Sequence, residues 1–193
     1  MEPGNLERPF KVSIVGDAGV GKSSYIKKQF SPDFNRDYLQ TAGYEVSSWS
    51  RNMSAGPVNL ELWDVSGSQS KLQDRQSWLK NSDAAIIMVD LAQPTTFEHA
   101  LRWYEELLLA NPSGLPVVVC TWKPVPKDQL LDVDPEALFW LGETENVQFY
   151  DVASDISRFD QPLLCIVRKL MNDPDARFWF PYTLTDDDLE IHD

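Results

Sequence analysis

The sequence predicts an α/β protein, a six-stranded, mostly parallel sheet with helices on both faces. Three observations carry this reading. Strand-like apolar runs alternate along the chain with helix-like segments. Two of those runs, Ala84-Ala85-Ile86-Ile87-Met88-Val89-Asp90 and Leu115-Pro116-Val117-Val118-Val119-Cys120, are nearly unbroken, as suits strands covered on both faces. The first strand also runs straight into Gly16-Asp17-Ala18-Gly19-Val20-Gly21-Lys22-Ser23, the pattern G-x-x-x-x-G-K-[ST], which cradles phosphate when it joins a strand to a helix.

In chain order, the first strand is expected at 10–16, with Phe10-Lys11-Val12-Ser13-Ile14-Val15 as its buried run. The glycines of the loop let backbone N–H groups turn inward around phosphate oxygens. The helix expected at 22–30 points its positive N-terminus at the same anion, and Ser24 lies in its first turn. Lys22 adds a full charge at the outer phosphates, and the Ser23 hydroxyl suits Mg²⁺. Strands at 43–50 and 57–64 flank Gly56-Pro57, which reads as the turn of an antiparallel hairpin. The second of them ends in Leu62-Trp63-Asp64-Val65-Ser66-Gly67. Here Asp64 suits a magnesium ion held through water, and the Gly67 N–H suits a terminal phosphate. Thr41 lies in a polar loop between the two motifs, where its hydroxyl could close over Mg²⁺ and a third phosphate.

A helix at 70–80 precedes the strand at 84–90. The helix at 95–110 is the clearest, with Phe97, Leu101, Tyr104 and Leu108 expected inside and Glu98, Arg102, Glu105 and Glu106 outside. Trp103 on this helix reads as packing, and Asn111-Pro112 ends the helix. A strand at 115–120, a helix at 134–141, a strand at 147–152 and a helix at 160–171 complete the pattern. Beyond them the aromatic cluster Phe178-Trp179-Phe180-Pro181-Tyr182 is expected to dock on the domain, ahead of an acidic, mobile end.

At 193 residues and 22.0 kDa one domain is expected, residues 10–174, with a flexible segment 1–9 and a short tail 175–193. The net charge of −13 argues against a nucleic-acid partner, whose phosphates demand a basic surface. Neither His99 nor His192 belongs to a Cys/His cluster with metal-ligand spacing, and Cys120 and Cys165 sit in apolar stretches as expected of reduced thiols. No signal-peptide core, membrane span or prenylation box is visible, so a soluble, unanchored, monomeric intracellular protein is expected.

The motifs together resemble a Ras-superfamily small GTPase, and the chain is most similar to the Ran branch. The resemblance covers roughly residues 10–178. It rests on Tyr38-Leu39-Gln40-Thr41-Ala42-Gly43-Tyr44-Glu45-Val46, Val147-Gln148-Phe149-Tyr150-Asp151-Val152 and Arg168-Lys169-Leu170-Met171-Asn172-Asp173-Pro174. It implies GTP/GDP and Mg²⁺ as ligands, with Ser23, Thr41 and Asp64 on the metal and Lys22, Thr41, Ser68 and Gln69 at the reacting phosphate. It implies switch I at about 31–46, switch II at about 65–80, and Phe34 against the base. It further implies transport receptors or Ran regulators as partners, met through the switches in nucleus and cytoplasm.

The chain departs from that family in several places. The guanine-reading N-K-x-D is replaced by Thr121-Trp122-Lys123-Pro124, and the usual S-A-K by Ala153-Ser154-Asp155. Without the bidentate carboxylate, base discrimination should be loose, with Lys123 and Ser154 lining the base site and Trp122 either stacking on the base or serving as a core or surface aromatic apart from the ligand. Ser68 stands where the family orients water with Gln, Gln69 is one place late, and Ala18 replaces a glycine, so hydrolysis should be slow. Glu143 and Glu145 stand where Ran is basic, which should weaken receptor docking there. Two alternatives follow from the same departures, a pseudo-GTPase scaffold that binds Ran partners without cycling and an NTPase of altered base preference.

Overall fold

The computed structural model describes residues 8–30, 41–68, 72–122, 144, 147–152 and 156–179. The elements run β1 (Phe10–Val15), α1 (Lys22–Lys28), β2 (Tyr44–Met53), β3 (Gly56–Val65), α2 (Leu72–Leu79), β4 (Ala84–Val89), α3 (Thr95–Ala110), β5 (Val117–Thr121), β6 (Val147–Asp151), a 3₁₀ turn (Ile156–Arg158) and α4 (Gln161–Met171). The expected helix at 134–141 lies outside the described residues.

The six strands form one sheet in the order β2-β3-β1-β4-β5-β6. Only β2 runs antiparallel to its neighbour; β3, β1, β4, β5 and β6 are parallel. Alternation along each strand sends side chains to opposite faces. Val12, Ile14, Ile86, Met88, Val118 and Cys120 join Tyr25 and Ile26 of α1 and Leu163, Ile166 and Val167 of α4 in one core. Val15, Ala85, Ile87, Val89, Val117 and Val119 join Phe97, Ala100, Trp103 and Leu107 of α3 in the other. Two covered faces explain why β4 and β5 are buried at every position and read as continuous apolar runs. This is the fold class that the sequence predicts.

Three details differ from the sequence reading. The β2–β3 hairpin turns at Ser54-Ala55, and Gly56 and Pro57 belong to the ladder, facing Met53 and Asn52. Pro57 is tolerated because β1 pairs with β3 only from Leu60 onward, so no donor is needed on that side. On α3 the buried face is Phe97, Ala100, Trp103 and Leu107, while Leu101 is 41% exposed. Of the expected Phe97-Leu101-Tyr104-Leu108 stripe, Phe97 is buried and Tyr104 and Leu108 pack half-buried against the same core, so only Leu101 departs from it, with Ala100, Trp103 and Leu107 completing the buried face. Glu106, expected on the polar face, meets a cation instead (below).

The chain after α4 returns to the end of β2. Ser54 N–H donates to Arg177 O at 2.9 Å, Trp179 N–H donates to Asn52 O at 2.9 Å, and the Phe178 ring meets Trp49 edge-on at 6.2 Å. Residues 180–182 of the aromatic cluster, and the acidic end, lie outside the described residues. Cys120 and Cys165 are free and buried, and burial pushes the Cys120 thiol up to about 12. Among the described residues no helix is long and apolar enough to cross a membrane.

Candidate functional site

The site forms where β1 and β3 end side by side, because their parallel register sets Ile14 opposite Asp64. The loop after β1 therefore lies against the segment after β3. Gly16 adopts φ +135°, and a Cβ there would lie 2.3 Å from Met88 O on the neighbouring strand. Only glycine fits this corner. Gly67 is constrained from the other side, since a Cβ would lie 2.4 Å from Ala18 N and 2.5 Å from Gly16 O. The D-x-x-G glycine is thus packed on the backbone of the phosphate-loop pattern.

At the start of α1 the N-cap is Gly21, which has no side chain with which to cap the first turn. An anion can therefore take the place of a capping side chain. Lys22 folds back over the loop and donates to Gly16 O and Asp17 O, each at 2.8 Å. Burial lowers its ammonium to about 8, partly offset by Asp64 and Asp17. Ala18 and Ser24 are exposed at the loop, Gly19 is half-buried and Val20 is buried. Val20 anchors the loop in the core shared by α1 and α4.

Three oxygen donors converge beside Lys22. Ser23 Oγ donates to Asp64 Oδ2 at 2.5 Å, Thr41 Oγ1 donates to the same oxygen at 3.3 Å, and the two hydroxyls lie 3.2 Å apart. Asp64 Oδ1 is buried with no hydrogen-bond partner among the described residues. Burial raises the Asp64 carboxyl, against the pull of Ser23, Lys22 and Thr41. A buried carboxylate with one oxygen lacking a donor and two hydroxyls on the other fits a hard divalent cation such as Mg²⁺. Ser23, Thr41 and Asp64 would hold it, directly or through water, and it would draw charge from the phosphates beside Lys22.

Residues 11–123, more than half of the chain, match the family model described as "Ras of Complex, Roc, domain of DAPkinase". The chain belongs to this family. A Roc domain is a Ras-like GTP-binding domain, so the ligands of this fold are GTP and GDP, typically with Mg²⁺. The small-GTPase resemblance read from the motifs holds at that level.

The Roc domain places the other expected site residues as follows. Ser68 is half-buried, its N–H donates to Ser66 Oγ at 3.3 Å, and its carbonyl accepts from Arg75 at 2.8 Å. Trp122 is half-buried beside two rings of the α1/α4 core, Tyr25 at 5.7 Å and Phe159 at 5.4 Å. Phe34, Gln69, Lys123 and Ser154 lie outside the described residues. At the end of β5, Thr121 Oγ1 donates to Asp151 Oδ1 at 2.6 Å, across the register that pairs the two residues.

Four residues at the site escaped the sequence reading. Asp17 accepts from Trp103 Nε1 at 2.9 Å, and its other oxygen lies 2.5 Å from His99 Nδ1. Arg75 and Glu106 form a buried ion pair at 2.9 Å beneath the segment after Gly67. The spacing of His99 and Trp103, one helical turn apart, was the available signal. It became informative only once α3 was placed beside the loop.

Proposed function

We propose that this Roc domain is a nucleotide-dependent binding switch that hydrolyses GTP slowly and reads guanine loosely. One observation carries the reading. The phosphate and cation residues Lys22, Ser23, Thr41 and Asp64 are assembled, while the residue after Gly67 is Ser68. A serine hydroxyl is too short to orient water as a glutamine amide does, and Ala18 adds a methyl group at the phosphate loop. Binding is therefore retained where turnover is impaired. A third phosphate would order the segments around Thr41 and Gly67, which is what partners would read.

The base loops support loose guanine reading. Thr121-Trp122-Lys123-Pro124 supplies no carboxylate for the two guanine N–H groups. The partner class proposed is that of Ran-type transport receptors and regulators, met through the two switches in nucleus and cytoplasm, with no nucleic acid. Its support is the set of Ran-like stretches at 38–46, 147–152 and 168–174. Glu143 and Glu145, which lie outside the described residues, would narrow that set. The altered base loop also favours a second reading, an NTPase of changed base preference, and the loss of the orienting Gln favours a scaffold that binds partners without cycling.

Mass spectrometry of nucleotide released from freshly purified protein separates these readings. The proposal expects guanine nucleotide at a substantial fraction of one per chain. Adenine nucleotide to the exclusion of guanine would favour the changed base preference, and no nucleotide at all would favour the scaffold.

A further inference from the structure

Around the nucleotide site the side chains of α2 and α3 close a ring. Gly67 packs on the backbone of Asp17 and Ala18. Ser68, the next residue, accepts from an Arg75 guanidinium nitrogen at 2.8 Å. The guanidinium carbon of Arg75 lies 4.1 Å from the centroid of the Trp103 ring, a cation–π contact. Trp103 Nε1 donates to Asp17 Oδ1 at 2.9 Å, which returns the circuit to the phosphate loop. Each member is fixed from outside the ring. Glu106 holds the other guanidinium nitrogen at 3.1 and 2.9 Å, and His99 holds the second oxygen of Asp17. The Arg75 side chain is 2% exposed, and its Nε is buried without an acceptor among the described residues.

A buried arginine with three anchors and one unused donor is an expensive arrangement for a surface helix to maintain. A general ion-pair role would need only Glu106. Here the guanidinium also grips a backbone carbonyl one residue from Gly67, and it lies over the indole that hydrogen-bonds the phosphate loop. We propose that Arg75 and Trp103 are positioning residues that tie the segment after β3 to the phosphate loop, so that placement of Gly67 against a third phosphate is set through Asp17. Their effect is on discrimination between triphosphate and diphosphate, because the Gly67 N–H is the group of this ring expected at a terminal phosphate. The inference rests on nucleotide binding at the phosphate loop.

The test measures calorimetric affinities for Mg²⁺-GDP and a Mg²⁺-bound non-hydrolysable GTP analogue. It compares wild type, Trp103→Phe, Arg75→Lys and the double variant, each first shown to unfold cooperatively in urea. Trp103→Phe keeps the ring but removes the N–H, and Arg75→Lys keeps the charge but cannot span Glu106, Ser68 and the indole together. Each single variant is expected to lose about tenfold of its triphosphate preference, as for one charge-assisted hydrogen bond. The double variant should lose no more than the worse single variant, because the ring is already open. Unchanged preference in either single variant, equal losses for both nucleotides, or additive losses in the double variant would each overturn the relay while leaving the nucleotide reading intact. Failure of wild type to bind either nucleotide would overturn both.

Discussion

Ser23 Oγ donates to Asp64 Oδ2 at 2.5 Å, joining the end of the phosphate loop to the end of β3 across 41 positions of sequence. The contact exists because β1 and β3 are parallel neighbours whose last residues share a register. It leaves Asp64 Oδ1 buried with no hydrogen-bond partner among the described residues, a position that suits a cation. Asp64→Asn should therefore reduce the ability of Mg²⁺ to slow nucleotide release by roughly 10–100-fold, a loss of the size seen when metal-site partners are removed. Release of a fluorescent GDP with and without chelator measures this. Magnesium dependence equal to wild type would place the cation elsewhere.

Lys22 sets a pH dependence. Burial brings its ammonium down to about 8 from 10.5. Phosphate binding needs the charged form, so above about pH 8 binding must recover a proton, and affinity should fall toward about tenfold per pH unit. The stability of the nucleotide-free protein should move the other way. The unfolded chain holds more protons on this lysine between about 8 and 10.5, so this group's burial penalty is present in full below about 8 and is relieved as pH rises through that window. Calorimetry of wild type across pH reads the affinity slope, and Lys22→Met should remove this lysine's part of the stability slope in urea titrations. A stability slope equal to wild type in that variant would assign the titration to another group.

Base choice should be weak. With Thr121 paired to Asp151 and no carboxylate at Pro124, GTP should be preferred over ATP and ITP by about tenfold or less. Competition against a fluorescent nucleotide reads the ratio. A preference of several thousandfold would mean that another group reads the guanine edge.

Turnover should be slow and partly repairable. Family members without an activator hydrolyse GTP at about 10⁻⁴ s⁻¹, and this chain should fall below that. Ser68→Gln restores an amide at the position after Gly67 and should raise the single-turnover rate. A wild-type rate at or above the family value would show that Ser68 and Ala18 do not limit the chemistry.

The Arg75–Glu106 pair makes a separate stability prediction. Its side chains are 2% and 15% exposed, so Arg75→Ala strands a shielded carboxylate. The loss should be about 3 kcal/mol in urea unfolding, within the range for breaking a buried pair. A change below about 1 kcal/mol would class the pair with ordinary surface bridges.

Much of this was legible before the fold was known, for identifiable reasons. Local chemistry names its own residues: the Gly16–Ser23 loop, Asp64 and Gly67 carry their spacing in the sequence, and β4 and β5 declare two covered faces by unbroken apolar runs. Thr41 was legible from its place between the motifs. What escaped depends on long-range placement. His99, Trp103, Arg75 and Glu106 reach the site only because α2 and α3 pack on the same sheet face. On α3 only Leu101 departs from the expected stripe, since Ala100, Trp103 and Leu107 fill the rest of the buried face. Gly56-Pro57 is a strong turn signal in the sequence, overridden here by a ladder that continues past the end of β1.

The central claim is that the phosphate-loop pattern is a working nucleotide site. Isothermal calorimetry of Mg²⁺-GDP and Mg²⁺-GTP analogue into nucleotide-stripped wild type and Lys22→Ala tests it directly. The account predicts one binding event per wild-type chain, abolished in the variant, because the buried ammonium that holds Gly16 O and Asp17 O is the charge the outer phosphates require. Equal affinity in the two proteins would contradict it.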